Sequence, residues 1–158
     1  MSVEKITLQL LIYLQSQDLD PLLYGSQGLG LYLGNFKKFD DIDILVNQVW
    51  LDRKWIELIT IMEKFNYKLT DEHEHEFTNT HGTKVSFAGE NILIRDHILN
   101  DLTQTVSVDV GSIRVRTLRL ADFRTAYLFS SKDGYRRETR GKKDMDVIKL
   151  IDARITGQ

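Results

Sequence analysis

Cysteine is absent from the chain, and proline occurs once, at Pro21. Without thiols, neither a disulfide framework nor a thiolate metal site can be built. A reducing, cytoplasmic setting is the expectation. No stretch approaches the ~18 consecutive apolar residues of a membrane span, so no membrane partner is expected. The opening MSVEKITLQLLIYLQSQ interrupts its apolar positions with charged and polar ones and does not read as a secretory leader. Internal repeats and low-complexity segments are lacking as well. The lone proline is informative, because it pushes the residue before it out of the α region; a first helix should therefore break by Asp20.

What remains is an ordinary globular composition, 42% hydrophobic and 28% charged over 158 residues. That length suits a single domain over residues 1–158, able to bury roughly two thirds of the surface its unfolded chain exposes. The net charge of −2 is unevenly spread. Residues 113–143 carry ten Lys or Arg against three Asp or Glu, a local +7, which leaves −9 on the remainder. Such asymmetry fits either a surface for polyanions such as phosphates or RNA, or a solvated helical face.

Apolar spacing places a helix over 3–16, a short strand at 22–24, a short helix over 27–34 and a buried strand at 42–46. A helix over 50–65 turns Trp55, Leu58, Ile59, Met62 and Phe65 inward. Strands are expected at 67–70, 74–79 and 83–88, the last two joined by a Thr-His-Gly turn, and another at 113–116. Residues 91–112 are ambiguous. Helices over 118–131 and 142–155 flank a polar loop, KDGYRRETRG. Interleaved helices and strands with a central hairpin predict an α+β domain, a mixed sheet flanked by helices.

Two local features carry chemistry. Asp41 and Asp43 stand two apart at the start of a strand, so both project to one face while Ile42 and Ile44 pack on the other. Carboxylates held that close repel unless a cation lies between them, and hard oxygen ligands suit magnesium. Fifteen residues earlier, Gly25-Ser26 leads from a strand into a helix, whose N-terminal N–H groups and dipole favour phosphate. Alternatively, the aspartates are a solvated acidic run and Ser26 a plain N-cap. His73 and His75 in HEHEF lack a third ligand at clear spacing, and the segment reads better as a charged edge strand.

Together, 25-GSQGLGLYLGNFKKFDDID-43 resembles the signature of the DNA polymerase beta-like nucleotidyltransferases. That superfamily includes CCA-adding enzymes, antibiotic nucleotidyltransferases and nucleotidyltransferase-type toxins. The stretch IRVRTLRLADFRTAYLFSSK…RGKKDMDVIKLI is similar to the strand and helices that close its small members. The resemblance implies the nucleotidyltransferase fold and magnesium-dependent transfer of a nucleoside monophosphate from a nucleoside triphosphate to an acceptor hydroxyl, on RNA or a small molecule. Gly25 and Ser26 would hold the triphosphate, with Arg140, Lys142 and Lys143 as further nucleotide contacts; Asp41 and Asp43 would bind the metal.

Two departures from the pattern stand out. The family's third catalytic carboxylate lies in a hydrophobic-Asp-hydrophobic triplet on a later strand, and the aligned triplet here is Val85-Ser86-Phe87. Glu90, which shares the parity of Ser86, or Glu76 on the adjacent hairpin strand would have to replace it. Tyr127 stands near a position where small members often carry lysine; it reads as core, with Arg124 one turn earlier as a substitute charge. Lys142 and Asp146, four apart, are expected to pair at a helix start, where cations are electrostatically misplaced unless they serve an anion. These departures keep a second reading open: a catalytically degenerate nucleotide- or RNA-binding module of the same fold.

Overall fold

The computed structural model describes residues 3–34, 41–132 and 134–157, with the backbone alone for 134–142. Six α-helices run α1 (Val3–Ser16), α2 (Gly25–Leu33), α3 (Trp55–Lys64), α4 (Ile92–Arg95), α5 (Leu120–Lys132) and α6 (Gly134–Ile155). Seven strands run β1 (Leu22–Tyr24), β2 (Ile42–Val46), β3 (Tyr67–Asp71), β4 (Glu76–Asn79), β5 (Lys84–Gly89), β6 (Val106–Val110) and β7 (Ile113–Thr117). They form one sheet in the order β3-β4-β5-β2-β1-β7-β6. The pairs β2–β5 and β1–β7 are parallel and the others antiparallel, so the sheet is mixed, as expected.

Alternation along the strands builds two cores. Ile42, Ile44, Phe77, Val85 and Phe87 face one side, where Leu10, Leu11 and Leu14 of α1 and Leu58, Ile61 and Met62 of α3 cover them. Leu22 and Leu45 face the other side, under Leu29 of α2, Phe123 and Tyr127 of α5, and Val147, Ile148 and Ile151 of α6. Gly28 permits the close seat of α2, since a Cβ there would lie 2.6 Å from the Leu23 carbonyl and 2.8 Å from the Phe123 ring. Tyr127, 9% exposed, is core.

The first helix ends at Ser16, as expected, with Asp18 beyond it in the left-handed conformation (φ 65°). Several other expectations are corrected. The helix expected from Trp50 begins at Trp55; before it, the Asn47 side chain accepts from Val49 N–H and caps a single 3-10 turn at Gln48–Trp50. The ambiguous stretch holds α4, a 3-10 turn closed by an Asp101–Gln104 capping box, and β6. HEHEF is not an edge strand: residues 72–75 are turn, His75 has φ 50°, and β4 lies inside the sheet between β3 and β5.

The largest correction concerns KDGYRRETRG. From Gly134 onward it is helical, part of the 22-residue α6, so Lys142 lies about two turns inside the helix rather than at its start. The electrostatic argument from a cation-rich N-terminus therefore falls. The side chains of Arg140 and Lys142, and the expected Lys142–Asp146 pair, lie outside the described residues.

Candidate active site

The site is built where β1 hands over to α2. Tyr24, the N-cap of α2, contributes no side-chain cap, so the helix start is not closed off by the residue before it. Gly25 follows with φ 57°, a conformation L-residues rarely adopt. A Cβ on Gly25 would lie 2.3 Å from Asp43 Oδ2. The Asp43 carboxylate is thus seated against the glycine at the helix N-terminus, and only glycine leaves room for it. Ser26 is 7% exposed in the first turn.

Asp43 is the second residue of β2, and Asp41 lies just before the strand. Exposure alternates along this segment: Asp41 exposed, Ile42 buried, Asp43 half-buried, Ile44 buried. Both carboxylates therefore lie on the side away from the α1–α3 core, as the i, i+2 spacing requires. The sheet register extends the row. Asp43 is opposite Tyr24 on β1 and Ser86 on β5, and Ser86 is opposite Glu76 on β4. Glu76, Ser86 and Asp43 consequently share one face at one level of three neighbouring strands.

Around the row, hydroxyls pin the framework. Thr117 Oγ1 donates to the Leu23 carbonyl at 2.7 Å, tying β7 to β1. Tyr32 OH donates to the Leu118 carbonyl at 2.8 Å, tying α2 to the approach of α5. Burial, and then the Asp122 carboxylate, hold the Tyr32 phenol above its usual range, so it stays a neutral donor. Asp122 itself is clasped by Arg119 at 2.7 Å in the first turn of α5.

With this geometry in view, the chain can be set beside known proteins. No protein-family model matches it. It is 33% identical over 143 residues to the uncharacterized protein YnaI of Bacillus subtilis (strain 168), covering 85% of each chain. The chain belongs to the YnaI family. Its fold matches the crystal structure of an antigenic nucleotidyltransferase-like protein from Paracoccidioides brasiliensis, with a TM-score of 0.66 and 15% identity. The match covers 94% of this chain and 74% of that one. This YnaI-family chain therefore has a nucleotidyltransferase-like fold.

Not every residue singled out in the sequence reaches the row in this YnaI relative. Glu90 does not, and is corrected here. Its N–H bonds the Val46 carbonyl, which places it beyond the far end of β2, on the order of 10 Å along the strands from Asp43. There Arg116 Nη1 donates to Glu90 Oε2 at 2.7 Å, with both side chains largely buried, and Arg116 also reaches Asp20 at 3.5 Å. Parity predicted the face of Glu90 and not its level. Arg124, the substitute charge for Tyr127, is paired with Asp152 of α6 at 2.6 Å. Lys143 is exposed on α6.

One functional candidate went unread. Asp144 is 1% exposed, a carboxylate carried inward on the same stripe as Val147, Ile148 and Ile151. Its 3, 4, 7 spacing to those residues, within the helix expected over 142–155, was the signal. Among the described residues no three His, Asp or Glu side chains converge closely enough to form a metal site by themselves. No described helix is long and apolar enough to cross a membrane.

Proposed function

We propose that the protein is a nucleotidyltransferase, moving a nucleoside monophosphate from a nucleoside triphosphate to an acceptor hydroxyl with magnesium as cofactor. The observation that carries this reading is the fit of Asp43 against Gly25. The Asp43 carboxylate meets a helix N-terminus there, and a second carboxylate, Asp41, stands two residues before it on the same side of the chain. A triphosphate at the start of α2 would meet backbone N–H donors and the positive end of the helix dipole. Asp41 and Asp43 offer hard oxygens on one side of the chain, the donor set magnesium prefers, and would hold it beside those phosphates. Bound there, the ion would neutralise phosphate charge and polarise the phosphorus under attack.

The chain's own groups then have defined tasks. The α2 N-terminus orients the phosphates, Gly25 lets them approach the backbone, and the two aspartates fix the charge balance. Ser26 and the basic residues Arg140, Lys142 and Lys143 are assigned to the nucleotide on the strength of the family resemblance. The acceptor is RNA or a small molecule, and the setting cytoplasmic. The test is calorimetric titration with magnesium and the non-hydrolysable α,β-methylene-ATP. Wild type should bind, and the Asp41→Asn/Asp43→Asn double variant should lose magnesium-dependent binding. Unchanged binding in that variant sinks the proposal.

A second reading rests on Ser86. It stands in register with Asp43, where the superfamily pattern has an acid, so a module that binds nucleotide without transferring it is the alternative. Labelled triphosphate offered with tRNA, small-molecule and protein acceptors separates the two; transfer onto any of them removes the inactive reading.

A further inference from the structure

If the proposed transfer occurs, on which this step rests, the acceptor hydroxyl must lose a proton as its oxygen bonds phosphorus. Asp41 and Asp43 are committed to the phosphate end. Ser86, directly beside Asp43, carries a hydroxyl that is no base at neutral pH. Glu90 is locked to Arg116 at the other end of the strands. One carboxylate remains in the row, Glu76, one strand beyond Ser86.

We propose that Glu76 is the proton acceptor, and that Ser86 is small in order to leave room for the acceptor hydroxyl between Glu76 and Asp43. Two strand spacings of ~4.8 Å put the Glu76 and Asp43 Cα atoms about 9–10 Å apart, with Ser86 at the midpoint. Both flanking side chains rise above a short one, which makes a gap at the centre of the row. The absence, among the described residues, of any tight three-acid cluster fits a base held across a gap better than a third ligand packed on the pair. The Ser86 hydroxyl is half-exposed and has no hydrogen-bond partner among the described residues, so it can accept from or donate to an incoming group. The Glu76 side chain is 20% exposed and held from both neighbouring strands, by Lys84 Nζ of β5 at 4.0 Å and by a long 3.4 Å contact from Thr70 Oγ1 of β3. Among the described residues no helix core covers this part of the face, where Lys68, Thr70 and Lys84 are exposed. The acceptor thus enters over β3 and β4.

In the step, the hydroxyl proton passes to a Glu76 carboxylate oxygen as the acceptor oxygen forms its bond to the α-phosphorus. The bond from that phosphorus to the bridging oxygen breaks, and pyrophosphate leaves with the electron pair.

The experiment measures pyrophosphate release from a mixture of ATP, GTP, CTP and UTP, with water as the acceptor, alongside calorimetric binding of magnesium and α,β-methylene-ATP. Glu76→Gln should lower the release rate on the order of 10²–10⁴-fold while analogue binding and thermal midpoint stay at wild-type values. Glu90→Gln should leave the rate unchanged and lower the midpoint. Glu76→Asp, which keeps a carboxylate on β4 and leaves the gap at Ser86 open, should retain part of the rate that Glu76→Gln loses; this variant also answers any folding objection to the glutamine change. The inference is overturned if Glu76→Gln keeps the wild-type rate, if it loses analogue binding together with rate, or if wild type binds through Asp41 and Asp43 yet releases no pyrophosphate. Binding that ignores Asp41 and Asp43 instead sinks the transferase reading itself.

Discussion

Neighbouring residues on the same three strands meet opposite fates. On β2, Ile44 is sealed in the core while Asp43 lies against the start of α2; on β5, Val85 is sealed while Ser86 is half-exposed; on β4, Phe77 is sealed while Glu76 is half-exposed. The closed face is covered by α1 and α3. The other face is covered, among the described residues, around Leu22, Leu45 and Ala88, by α2, α4, α5 and α6. A two-residue period lets one short segment supply both packing and chemistry, because successive side chains never compete for the same side. The comparison predicts a clean division. Changes on the closed face should cost stability, and changes in the row should cost binding or turnover.

The largest expected effect lies on the closed side. Phe77 is fully buried, edge-on to Phe87 with ring centroids 5.7 Å apart and edge-on to Trp55 at 5.8 Å. Phe77→Ala should destabilise the fold by about 3–5 kcal/mol, the usual cost of emptying a buried aromatic site. Urea unfolding measures it. At temperatures where the variant is still folded, its analogue affinity should equal that of wild type, although residue 77 is bonded to residue 76. A loss of affinity in the folded variant would break the division between faces.

Gly25→Ala is the sharpest test of the open side. The methyl group would fall 2.3 Å from Asp43 Oδ2, and alanine at φ 57° adds roughly 1–2 kcal/mol of backbone strain. The prediction is loss of magnesium-dependent analogue binding with a stability cost of at least that backbone amount. Combining Gly25→Ala with Asp43→Ala removes the clash and keeps the strain. The double variant should therefore be more stable than the sum of the single changes, with binding still lost. Strict additivity would mean that Gly25 and Asp43 do not touch.

What could be read from the chain follows from the range of each interaction. The short strand at Leu22–Tyr24, the glycine turn, and the common face of Asp41 and Asp43 are local, fixed by a period of two and a few dihedrals, and the fold has them where the spacing put them. The pairing of Ser86 with Asp43 is long-range and was reached through the resemblance to a known pattern. Glu90 shows the limit of periodicity, which gives a face and not a distance along it. The helical nature of residues 134–141 was hidden because two glycines and four charges outweigh apolar spacing in a local reading. Beyond them the same helix packs on α5 through Val147, Ile148 and Ile151 and the Arg124–Asp152 clasp, and residues 134–141 continue it at its start. Asp144 lay inside the helix expected over 142–155, three, four and seven residues from Val147, Ile148 and Ile151; a carboxylate is ordinarily placed on the solvated face, and that default hid it.

The smallest predicted effect asks whether the closed face rejects charge. Tyr67 is 2% exposed, its ring stacked on Phe65 with centroids 6.2 Å apart. Burial raises the Tyr67 phenol above its ordinary value of 10.0, and the amide hydrogen that Asn79 donates to it at 3.5 Å only partly opposes this. A group whose folded pKa is raised leaves stability intact below the unfolded value and subtracts from it as pH climbs beyond. The penalty should therefore begin near pH 10 and grow through the folded-state pKa. Tyr67→Phe keeps the stacked ring and removes the titrating group. At pH 8 it should cost no more than about 1 kcal/mol for the long hydrogen bond. Between pH 9 and 11 the gap should narrow, as wild type loses a contribution that the variant never had. Urea midpoints for both proteins across that range measure the difference. Parallel lines would show that the phenol of Tyr67 ionises as freely in the fold as in the unfolded chain, and that the closed face is less dry than its packing implies.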